Sequence, residues 1–527
     1  MDWRSIDIER MGLHHILSMW AEVRPETDVL IFEGSHLFRG RTERYSYKKM
    51  DALTNKFANA LMALGVKKGD AVSLYLPNCP EFVIAYFGIL KAGAMVVLTS
   101  PIYTKREASY LLRDTGAKIV VTATPLAANV DRAELPQLEN IILIDEKDDR
   151  TSFYKILNEA SDRNPGVDVD VKNDVAIIAY TSGTTGVPKG TPHTHYELTW
   201  NLREGHRHVD MEEHGVACTT TPLFHVTGYH DTFGMWVFVG APTVVMERFD
   251  PERFLQLVEK YRITYVLIPT AGLIYLLNAP NRDKYDTSSL VGMMSGGAAV
   301  PQEIGQAITK VFNTDLVEGY GSTEALITHL NPRSKHGKIK FGSVGVALNR
   351  SPEIITKIVD EDDGVTERKQ GEVGEIIVKS PSVAKGYWNK PEDTKESFRN
   401  GFWYSGDIGY IDEEGYLYIT DRKKDMINVS GFKCWPREVE EVVHSHPAVA
   451  DVTVVGKPDP VKGEVPVAFI APKGGQEIDA GAMADFLRDK LAKYKIPVEY
   501  VFMDSLPKTL QGKADKAALK KRLLEGD

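Results

Sequence analysis

Short apolar runs alternate with segments of helical periodicity along most of this chain. The runs hold four to six residues rich in Val, Ile and Leu, which is typical of buried β-strands. Tyr47–Leu64 and Pro251–Tyr261 instead have apolar residues at helical spacing. This alternation predicts an α/β fold of sheets covered by helices. The predicted strands are Ala71–Leu76, Ala94–Leu98, Lys118–Thr122, Asn140–Ile144, Val175–Tyr180, Thr243–Met246 and Thr264–Ile268.

The C-terminal part of the chain has the pattern of a separate small domain. About 100 residues follow Lys424, a usual domain size. They contain strand patterns at Val452–Val455 and Val465–Ile470, and a helical pattern near Ala480–Leu491. Pro436 suits the first turn of another helix. The sequence therefore predicts two domains, residues 1–423 and 424–527.

Length and composition agree with a large cytoplasmic protein of more than one domain. The chain has 527 residues, of which 43% are hydrophobic and 26% charged, too many for one ordinary core. Three scattered cysteines, Cys79, Cys218 and Cys434, favour a reducing compartment. No apolar run reaches about 18 residues, so neither a signal peptide nor a membrane span is expected. A net charge of −10 argues against nucleic acid, so any anionic ligand must meet local basic groups.

Hydroxyls, glycines and one lysine are concentrated in the loop that follows the predicted strand Val175–Tyr180. Such a loop can surround phosphate oxygens with backbone N–H groups and short hydroxyls. A Walker A loop is excluded, because Pro188 precedes Lys189 and Gly190 follows it. The ordinary alternative is a solvated turn. The candidate phosphate ligands are Thr181, Ser182, Gly183, Thr184, Thr185, Gly186 and Lys189.

Four further segments combine glycines with charged or aromatic residues. Each has an ordinary alternative when it is taken alone: a packed turn, an Asp turn, a solvated charge run and an exposed lysine on a basic tail. In chain order the segments are Glu318–Glu324, Tyr404–Gly409, Thr420–Lys433 and Leu506–Lys513.

The order and spacing of these five segments resemble those of the adenylate-forming superfamily, which includes acyl-CoA synthetases, luciferases and peptide-synthetase adenylation domains. The resemblance runs from Thr181 to Lys513. It implies an α/β fold with a large multi-layered N-terminal domain of sheets flanked by helices. It also implies a small mobile α+β C-terminal domain that pivots at a hinge near Lys424.

The resemblance assigns ATP to residues in the first of these domains. Tyr320 is expected to stack on adenine, Thr323 to bind the α-phosphate, and Glu324 to hold magnesium, which prefers hard oxygen ligands. Further residues are expected to complete the adenine slot. They are Gly297, Ala298, Ala299, Glu318 and Gly319.

The remaining roles implied by the resemblance lie nearer the C-terminus. Asp407 would accept the ribose hydroxyls, and Arg422 would contact ribose or phosphate. Gly431 and Lys433 would face CoA, with Gly431 passing its pantetheine arm. Lys513 would be the lysine that assists adenylation. Relatives often carry Asp at position 424, where Lys is a common variant. The sequence departs from the family pattern at Ala514-Asp515-Lys516, which replaces more typical apolar and basic residues.

Seven of the fourteen histidines fall within 38 residues. Zinc binding is an alternative interpretation, but neither a Cys pair nor a His-Glu-x-x-His helix accompanies them. His225 matches the position at which relatives gate the acyl pocket, and His195 is expected to be structural. The seven are His193, His195, His206, His208, His214, His225 and His230.

The function implied by the resemblance is that of an AMP-forming acyl-CoA ligase, which uses ATP, Mg²⁺ and CoA. A fatty acid is favoured over an aryl or short hydroxy acid. Asp231 is expected to point to solvent or to pair structurally; an inward Asp231 would disfavour a long alkyl chain. Loading of a carrier protein and oxygen-using light production are alternatives, and a homodimer stays open. Thr323, Glu324, Asp407, Arg422 and Lys513 together argue against a non-catalytic homologue.

Overall fold

The computed structural model describes residues 2–145, 152–181, 188–210, 215–474, 476, 478–508 and 514–525. The chain forms two compact units. Unit 1 comprises Met1–Ile355 and Val378–Trp403, and unit 2 comprises Thr356–Ile377 and Tyr404–Asp527. Unit 2 thus takes in residues that precede Lys424, where the sequence predicts the hinge. The hinge itself stays a prediction.

Unit 1 contains two large sheets. Their strands, in chain order, are β1 (Asp28–Glu33), β2 (Thr42–Ser46), β3 (Ala71–Tyr75), β4 (Met95–Thr99), β5 (Ile119–Thr122), β6 (Asn140–Leu143), β7 (Val175–Thr181), β8 (Lys189–Thr194), β9 (Ala217–Thr219), β10 (Thr243–Met246), β11 (Tyr265–Leu267), β12 (Gly292–Gly296), β13 (Asp315–Ser322), β14 (Leu326–Leu330) and β15 (Val346–Ala347).

Both sheets of unit 1 are mainly parallel. Among the described residues, one sheet has nine strands in the order β15-β14-β13-β12-β11-β9-β10-β1-β2, and the other has six in the order β6-β5-β3-β4-β7-β8. Parallel strands are usually covered by helices on both faces, which explains their near-continuous apolar sequences. Apolar side chains of β9–β13 and of the neighbouring helices form a buried core against the larger sheet.

Helices connect and cover these strands. They are α1 (Leu13–Val23), α2 (Tyr47–Ala63), α3 (Pro80–Lys91), α4 (Lys105–Thr115), α5 (Thr124–Ala127), α6 (Phe153–Glu159), α7 (His195–Val209), α8 (Val226–Gly228), α9 (Met235–Val239), α10 (Pro251–Tyr261), α11 (Thr270–Leu277), α12 (Gln302–Phe312) and α13 (Pro391–Ser397). A π-helical segment, Tyr229–Gly234, connects α8 to α9.

The next five strands contain the three positions at which the chain passes between the units. They are β16 (Ile355–Val359), β17 (Gly374–Lys379), β18 (Phe398–Arg399), β19 (Phe402–Ile411) and β20 (Leu417–Arg422). They form a sheet in the order β16-β17-β19-β18, in which β20 also pairs with β19.

The C-terminal part of unit 2 has its own mixed sheet and its own core. Its strands are β21 (Ile427–Val429), β22 (Phe432–Cys434), β23 (Val449–Asp459), β24 (Gly463–Pro472) and β25 (Glu499–Phe502). Its helices are α14 (Pro436–His444), α15 (Ala480–Arg488) and α16 (Lys516–Glu525). The core is apolar and includes Val439, Val454 and Met483.

The α/β class is confirmed, and each predicted strand and helix is present with its ends shifted by a few residues. Pro436 is the first residue of α14, as predicted. Strand β8 was not predicted, because its sequence, Lys-Gly-Thr-Pro-His-Thr, lacks an apolar run. Within the described ranges, no helix is both long and apolar enough to span a bilayer.

Candidate active site

The candidate phosphate loop connects two antiparallel strands. Thr181 ends β7 and pairs with Lys189, the first residue of β8. The Thr181 hydroxyl donates to the Lys189 carbonyl at 3.5 Å. A strand-loop-strand arrangement differs from the strand-loop-helix of a Walker A motif, in agreement with its exclusion. The predicted ligands inside the loop lie outside the described residues; they are Ser182, Gly183, Thr184, Thr185 and Gly186.

Lys189 is already engaged by unit 1 side chains. Its ammonium forms an ion pair with Asp393 of α13 and lies 5.0 Å from the centre of the Tyr387 ring. Lys189 is about one-fifth exposed, so its charge is only partly screened by water. An anion that bound Lys189 would therefore compete with Asp393.

The predicted adenine slot lies at the carboxyl ends of two adjacent parallel strands. Gly296 at the end of β12 pairs with Gly319 in β13. The Glu318 carboxylate accepts a hydrogen bond from the Val300 N–H at 3.0 Å, which ties β13 to the loop after β12. Gly297 and Ala298 of that loop are exposed, and Ala299 is half-buried. Carboxyl ends of parallel strands are the usual ligand-binding edge of such sheets.

Close backbone packing fixes the position of Tyr320. A Cβ atom on Gly319 would lie 2.3 Å from the Leu330 side chain, so this position has no space for a larger residue. Tyr320 follows directly, pairs with His329 in β14, and is 8% exposed. The two aromatic rings lie 6.3 Å apart. The adenine-stacking role of Tyr320 stays a prediction.

Thr323 and Glu324 form the turn between β13 and β14, and other parts of unit 1 hold both residues. His193 donates to the Thr323 carbonyl at 2.7 Å. The Tyr387 hydroxyl donates to Oε1 of Glu324 at 2.8 Å, and the Ala384 N–H donates to the Glu324 carbonyl at 2.8 Å. Burial and the nearby Glu324 charge raise the pKa of Tyr387, so its phenol stays protonated as a donor.

Residues 384–394 therefore contact both the phosphate-loop lysine and the predicted magnesium ligand. The Trp388 N–H donates to the Gly190 carbonyl at 2.7 Å, and the Trp388 indole donates to the Asp114 carbonyl at 3.1 Å. Neither Tyr387 nor Asp393 was predicted from the sequence. The only local signal is an aromatic pair, Tyr387-Trp388, beside a turn that ends at Pro391.

Mg²⁺ commonly takes only one or two carboxylates from a protein, because substrate phosphates and water supply its other ligands. Glu324 fits that requirement: one oxygen accepts from Tyr387, and the residue lies at the carboxyl edge of the nine-stranded sheet. Glu324 is therefore the residue that would hold the ion.

The clustered histidines are mostly buried and neutral. Burial lowers the pKa of His195 and His230 to about 3 and that of His206 and His208 to about 4. His214 lies outside the described residues. In the part of the chain that the structure describes, no three His, Cys, Asp or Glu side chains are grouped to hold a metal.

His225 is the N-cap of α8. Its Nδ1 accepts from the Thr227 N–H at 3.3 Å and lies 2.9 Å from the Thr227 hydroxyl. Nδ1 is thus an acceptor, and in the neutral ring the proton is on Nε2. His225 is half-buried, and its predicted gating role stays a prediction.

The expectation for Asp231 is wrong. Asp231 is 8% exposed, and its Oδ1 accepts no hydrogen bond from any described residue. Burial raises the pKa of this carboxyl well above its usual value, which favours its neutral form. The sequence could not place it, because burial depends on what packs around residues 226–234.

A small apolar cavity of about 10 Å³, about the space of one water molecule, lies on another side of the same segment. This volume is smaller than that of most small-molecule pockets, so side chains must move before a large apolar group can enter. The cavity is lined by Phe82, Val83, Tyr86, Phe87, Leu223, Tyr229 and Phe233.

In unit 2, Asp407 and Arg422 are cross-strand partners of β19 and β20. Their side chains form an ion pair at 2.9 Å, in which Asp407 is 7% and Arg422 49% exposed. Lys424 lies in the following turn, where lost hydration and the Arg422 charge lower its pKa. The sequence analysis missed Asp421, which accepts from the N–H groups of Arg422 and Arg437 at 2.7 Å each.

Gly431 lies at the tip of the β21–β22 hairpin. Ser430 has φ +54° and Gly431 φ +87°, as expected for a two-residue hairpin turn whose central residues are both left-handed. Apart from its chain neighbours, no atom of the described residues lies within 4 Å of a Cβ built on Gly431. Lys433 pairs with Glu361 at 2.8 Å and Asp362 at 3.0 Å, and Phe432 is 60% exposed.

The predicted adenylation lysine, Lys513, lies outside the described residues. Two flanking lysines of unit 2 are engaged in ion pairs. Lys508 pairs with Asp451, and Lys516 pairs with Glu440 at 3.1 Å.

Family models match both parts of the chain. Residues 17–388 match the AMP-binding enzyme family, and residues 438–513 match the AMP-binding enzyme C-terminal domain. A long-chain-fatty-acid CoA ligase of Bacillus subtilis (strain 168) is 37% identical over 510 residues, covering 90% of this chain and 89% of that protein. 4-Coumarate CoA ligase 1 of Solanum tuberosum is 32% identical, covering 93% and 91%.

Solved structures agree over the whole length. The anthranilate CoA ligase AuaEII in complex with anthranoyl-AMP has a TM-score of 0.89 at 27% identity, covering 100% of both chains. ATP-bound MatB from Rhodopseudomonas palustris has a TM-score of 0.87 at 28% identity, covering 97% of this chain and 99% of that one.

The fold and the order of the site segments define an adenylate-forming enzyme. The chain belongs to the AMP-binding enzyme family, within the adenylate-forming acyl-CoA synthetase superfamily. It is an AMP-forming acid–thiol ligase.

Proposed function

We propose that this enzyme activates a carboxylic acid with MgATP and then transfers the acyl group to CoA. The observation that carries the proposal is the arrangement around Glu324. The β13–β14 turn presents Thr323 and Glu324 beside the carboxyl ends of β12 and β13, and Tyr387 and His193 hold that turn.

In the first half-reaction, the substrate carboxylate oxygen bonds to the α-phosphorus of ATP, and the bond to pyrophosphate breaks. Thr323 binds the α-phosphate and Lys513 offsets its developing charge, since preorganised charges stabilise such transition states strongly. The Lys189 ammonium leaves its ion pair with Asp393 and pairs with a phosphate oxygen instead. Glu324 would hold Mg²⁺, which would supply positive charge against the phosphates. Asp407 and Arg422 bind the ribose side.

In the second half-reaction, the thiolate of CoA bonds to the acyl carbonyl carbon, and the bond to the AMP oxygen breaks. Movement at Lys424 withdraws Lys513 and brings Gly431 and Lys433 to the CoA path. The exposed hairpin tip at Gly431 leaves space for a thin pantetheine arm. CoA is the proposed acceptor because the relatives quoted above are CoA ligases.

A fatty acid is the favoured acid, because the relative at 37% identity is a long-chain-fatty-acid CoA ligase and the cavity beside Tyr229 is apolar. A hydroxylated or aryl acid is the second candidate. The observation that favours it is the buried Asp231, because an unpaired carboxyl packed against methylene groups is unfavourable.

The test is AMP release from MgATP with a panel of acids, from acetate to long fatty, aryl and hydroxy acids, with and without CoA. We expect AMP release that requires both CoA and one class of acid. Pyrophosphate release that depends on the acid but not on CoA would instead indicate a carrier protein as acceptor. The proposal would be contradicted if no acid in the panel supported AMP release.

A further inference from the structure

Residues 226–234 form a continuous helical segment with defined neighbours on three sides. Residues four apart share a side of such a segment. Tyr229 and Phe233 face the apolar cavity beside α3. His230 donates to Asn201 of α7 at 3.0 Å, and Gly234 lies against Leu202 of the same helix.

The third side faces β9 and the loop after it. The Thr232 hydroxyl lies 3.2 Å from that of Thr219, the last residue of β9. A Cβ atom on Gly228 would overlap the Pro222 carbonyl, at 2.0 Å. These contacts account for the pairs at positions 228 and 232, 229 and 233, and 230 and 234. The remaining side carries Thr227 and Asp231.

Asp231 is buried on that remaining side, where its Oδ1 has no hydrogen-bond partner among the described residues. His225 contacts Thr227 on the same side, one turn earlier. The predicted gate of the acyl pocket and the buried carboxyl therefore share one side of the segment.

Other unpaired polar atoms lie at the same edge of the nine-stranded sheet. Thr221 follows the end of β9, and Ser295 is the penultimate residue of β12; within the described ranges, the hydroxyl of each is buried without a partner. Strand β11, which the segment also contacts, lies between β9 and β12. This is the carboxyl edge at which Gly297 and Tyr320 lie, and substrates of α/β enzymes bind at such edges.

An unpaired buried polar atom lowers stability, and a leucine of similar volume would avoid that cost. Asp231 therefore has the properties expected of a side chain whose partner is a ligand. Burial raises the pKa of Asp231 and so favours its protonated form, which donates through its O–H and accepts through its carbonyl oxygen. A hydroxyl group likewise donates and accepts.

We propose that Asp231 forms a hydrogen bond with a hydroxyl group on the acyl part of the acid, so that within a class of acids, fatty acids included, the enzyme prefers the hydroxylated member. The inference rests on the proposed function, because it names the acid that the same site activates. It makes Asp231 a specificity-determining residue rather than a group that reacts.

The test compares acids that differ by one hydroxyl, such as cinnamate against 4-hydroxycinnamate, and fatty acids against hydroxy fatty acids of equal length. The measured quantity is the ratio of kcat/KM for AMP release within each pair. We expect wild type to prefer the hydroxylated member of at least one pair by about tenfold or more, because a site built to bind a hydroxyl rejects the analogue that lacks it.

Asp231→Leu should bring that ratio close to one and should melt at the same or a higher temperature than wild type. Asp231→Asn, which keeps a donor and an acceptor, should retain part of the preference, and Asp231→Ala, which keeps neither, replaces the Leu variant if that fails to fold. Thr243→Val is the matched control, because it removes another buried hydroxyl without a partner among the described residues, at the start of β10 and away from the carboxyl edge. It should leave the preference intact.

The results separate this inference from the proposed function. AMP release without any hydroxyl preference, or a preference that survives Asp231→Leu, would overturn the inference alone. Loss of the preference in Thr243→Val but not in Asp231→Leu would overturn it as well. If no acid supports AMP release, the proposed function fails and this inference fails with it.

Discussion

The two units hold their functional residues in different ways. In unit 1, the turn at Thr323 and Glu324 is fixed by contacts from His193, Tyr387 and Ala384. In unit 2, Gly431 is at an exposed hairpin tip, and Lys433 pairs with carboxylates of which Asp362 is 79% exposed. Packed surroundings preorganise a charge, whereas exposed pairs contribute little to stability.

The difference between the two units shows where function and stability are coupled. A change at the Glu324 turn should affect both, because the same contacts position the turn and stabilise unit 1. A change at the exposed residues of unit 2 should affect one half-reaction with little loss of stability. The predictions below test this separation.

Lys513→Ala should have the largest effect. We expect adenylation to fall by about 10²–10³-fold or more, because a charge aimed at the transition state is lost. Thioester formation from supplied acyl-adenylate should be largely intact, and the melting temperature should not change. Single-turnover assays of each half-reaction measure this. Lys508→Ala, which removes a neighbouring lysine paired with Asp451, is the control. Equal loss of both half-reactions would refute the domain pivot.

Gly431→Leu should produce the reverse pattern. We expect thioester formation to fall at least about tenfold, because the new side chain would occupy the CoA path and strain a residue at φ +87° by about 1–2 kcal/mol. Adenylation should continue.

Gly415→Leu is the matched control for this variant. Gly415 has φ +84°, also belongs to unit 2, and has open space around its Cβ position. Both variants should lose similar stability, but only Gly431→Leu should slow transfer to CoA. Acyl-CoA formation at the normal rate in Gly431→Leu would show that the assigned path is wrong.

Tyr387→Phe tests the packed turn of unit 1. The change removes one hydroxyl and keeps the ring beside Lys189. We expect adenylation to fall about tenfold and the Mg²⁺ concentration for half-maximal rate to rise, because a hydrogen bond to a charged group is worth about 1.5–3 kcal/mol. Mg²⁺ titrations of pyrophosphate release measure both effects.

Tyr47→Phe is the control for that variant, because the buried Tyr47 hydroxyl donates to a backbone carbonyl, that of Ala241, at 3.1 Å. It should lower the melting temperature without altering the Mg²⁺ requirement. If Tyr387→Phe, like Tyr47→Phe, lowered the melting temperature and left the Mg²⁺ requirement unchanged, Tyr387 would have no part in positioning Glu324.

Lowering the pH should lower the stability of unit 1 more than that of unit 2. This is the smallest of the expected effects. Five buried histidines of unit 1 have folded-state pKa values of about 3 to 4, below the unfolded value of about 6.5. Their stabilising contribution is present above pH 6.5 and is lost as the pH falls toward those values. The five are His195, His206, His208, His230 and His329.

The pKa shift of Asp421 in unit 2 has the opposite effect on how stability depends on pH. Burial raises the pKa of Asp421 to about 6, so its contribution is present below about pH 3.8 and is lost as the pH rises through 6. Hydrogen-exchange protection at pH 7 and pH 5, corrected for intrinsic rates, should fall more in unit 1. An equal or larger fall in unit 2 would contradict this assignment.

The sequence predicted the regular elements well, because periods of 2 and 3.6 residues are local properties of the chain. It did not predict β8, whose Pro192 and His193 give no strand signal, although antiparallel pairing with β7 places this segment in the sheet. It also assigned Asp231 to solvent or a structural pair, since nothing local distinguishes a buried aspartate from an exposed one.

The family, the α/β class and the order of the site segments follow from local patterns and spacing along the chain. The contacts of Tyr387 with Glu324 and of Asp393 with Lys189 depend instead on the packing of the folded protein. The partners in the first pair are 63 residues apart in the chain. Contacts across such separations depend on how whole elements pack, which no local pattern specifies.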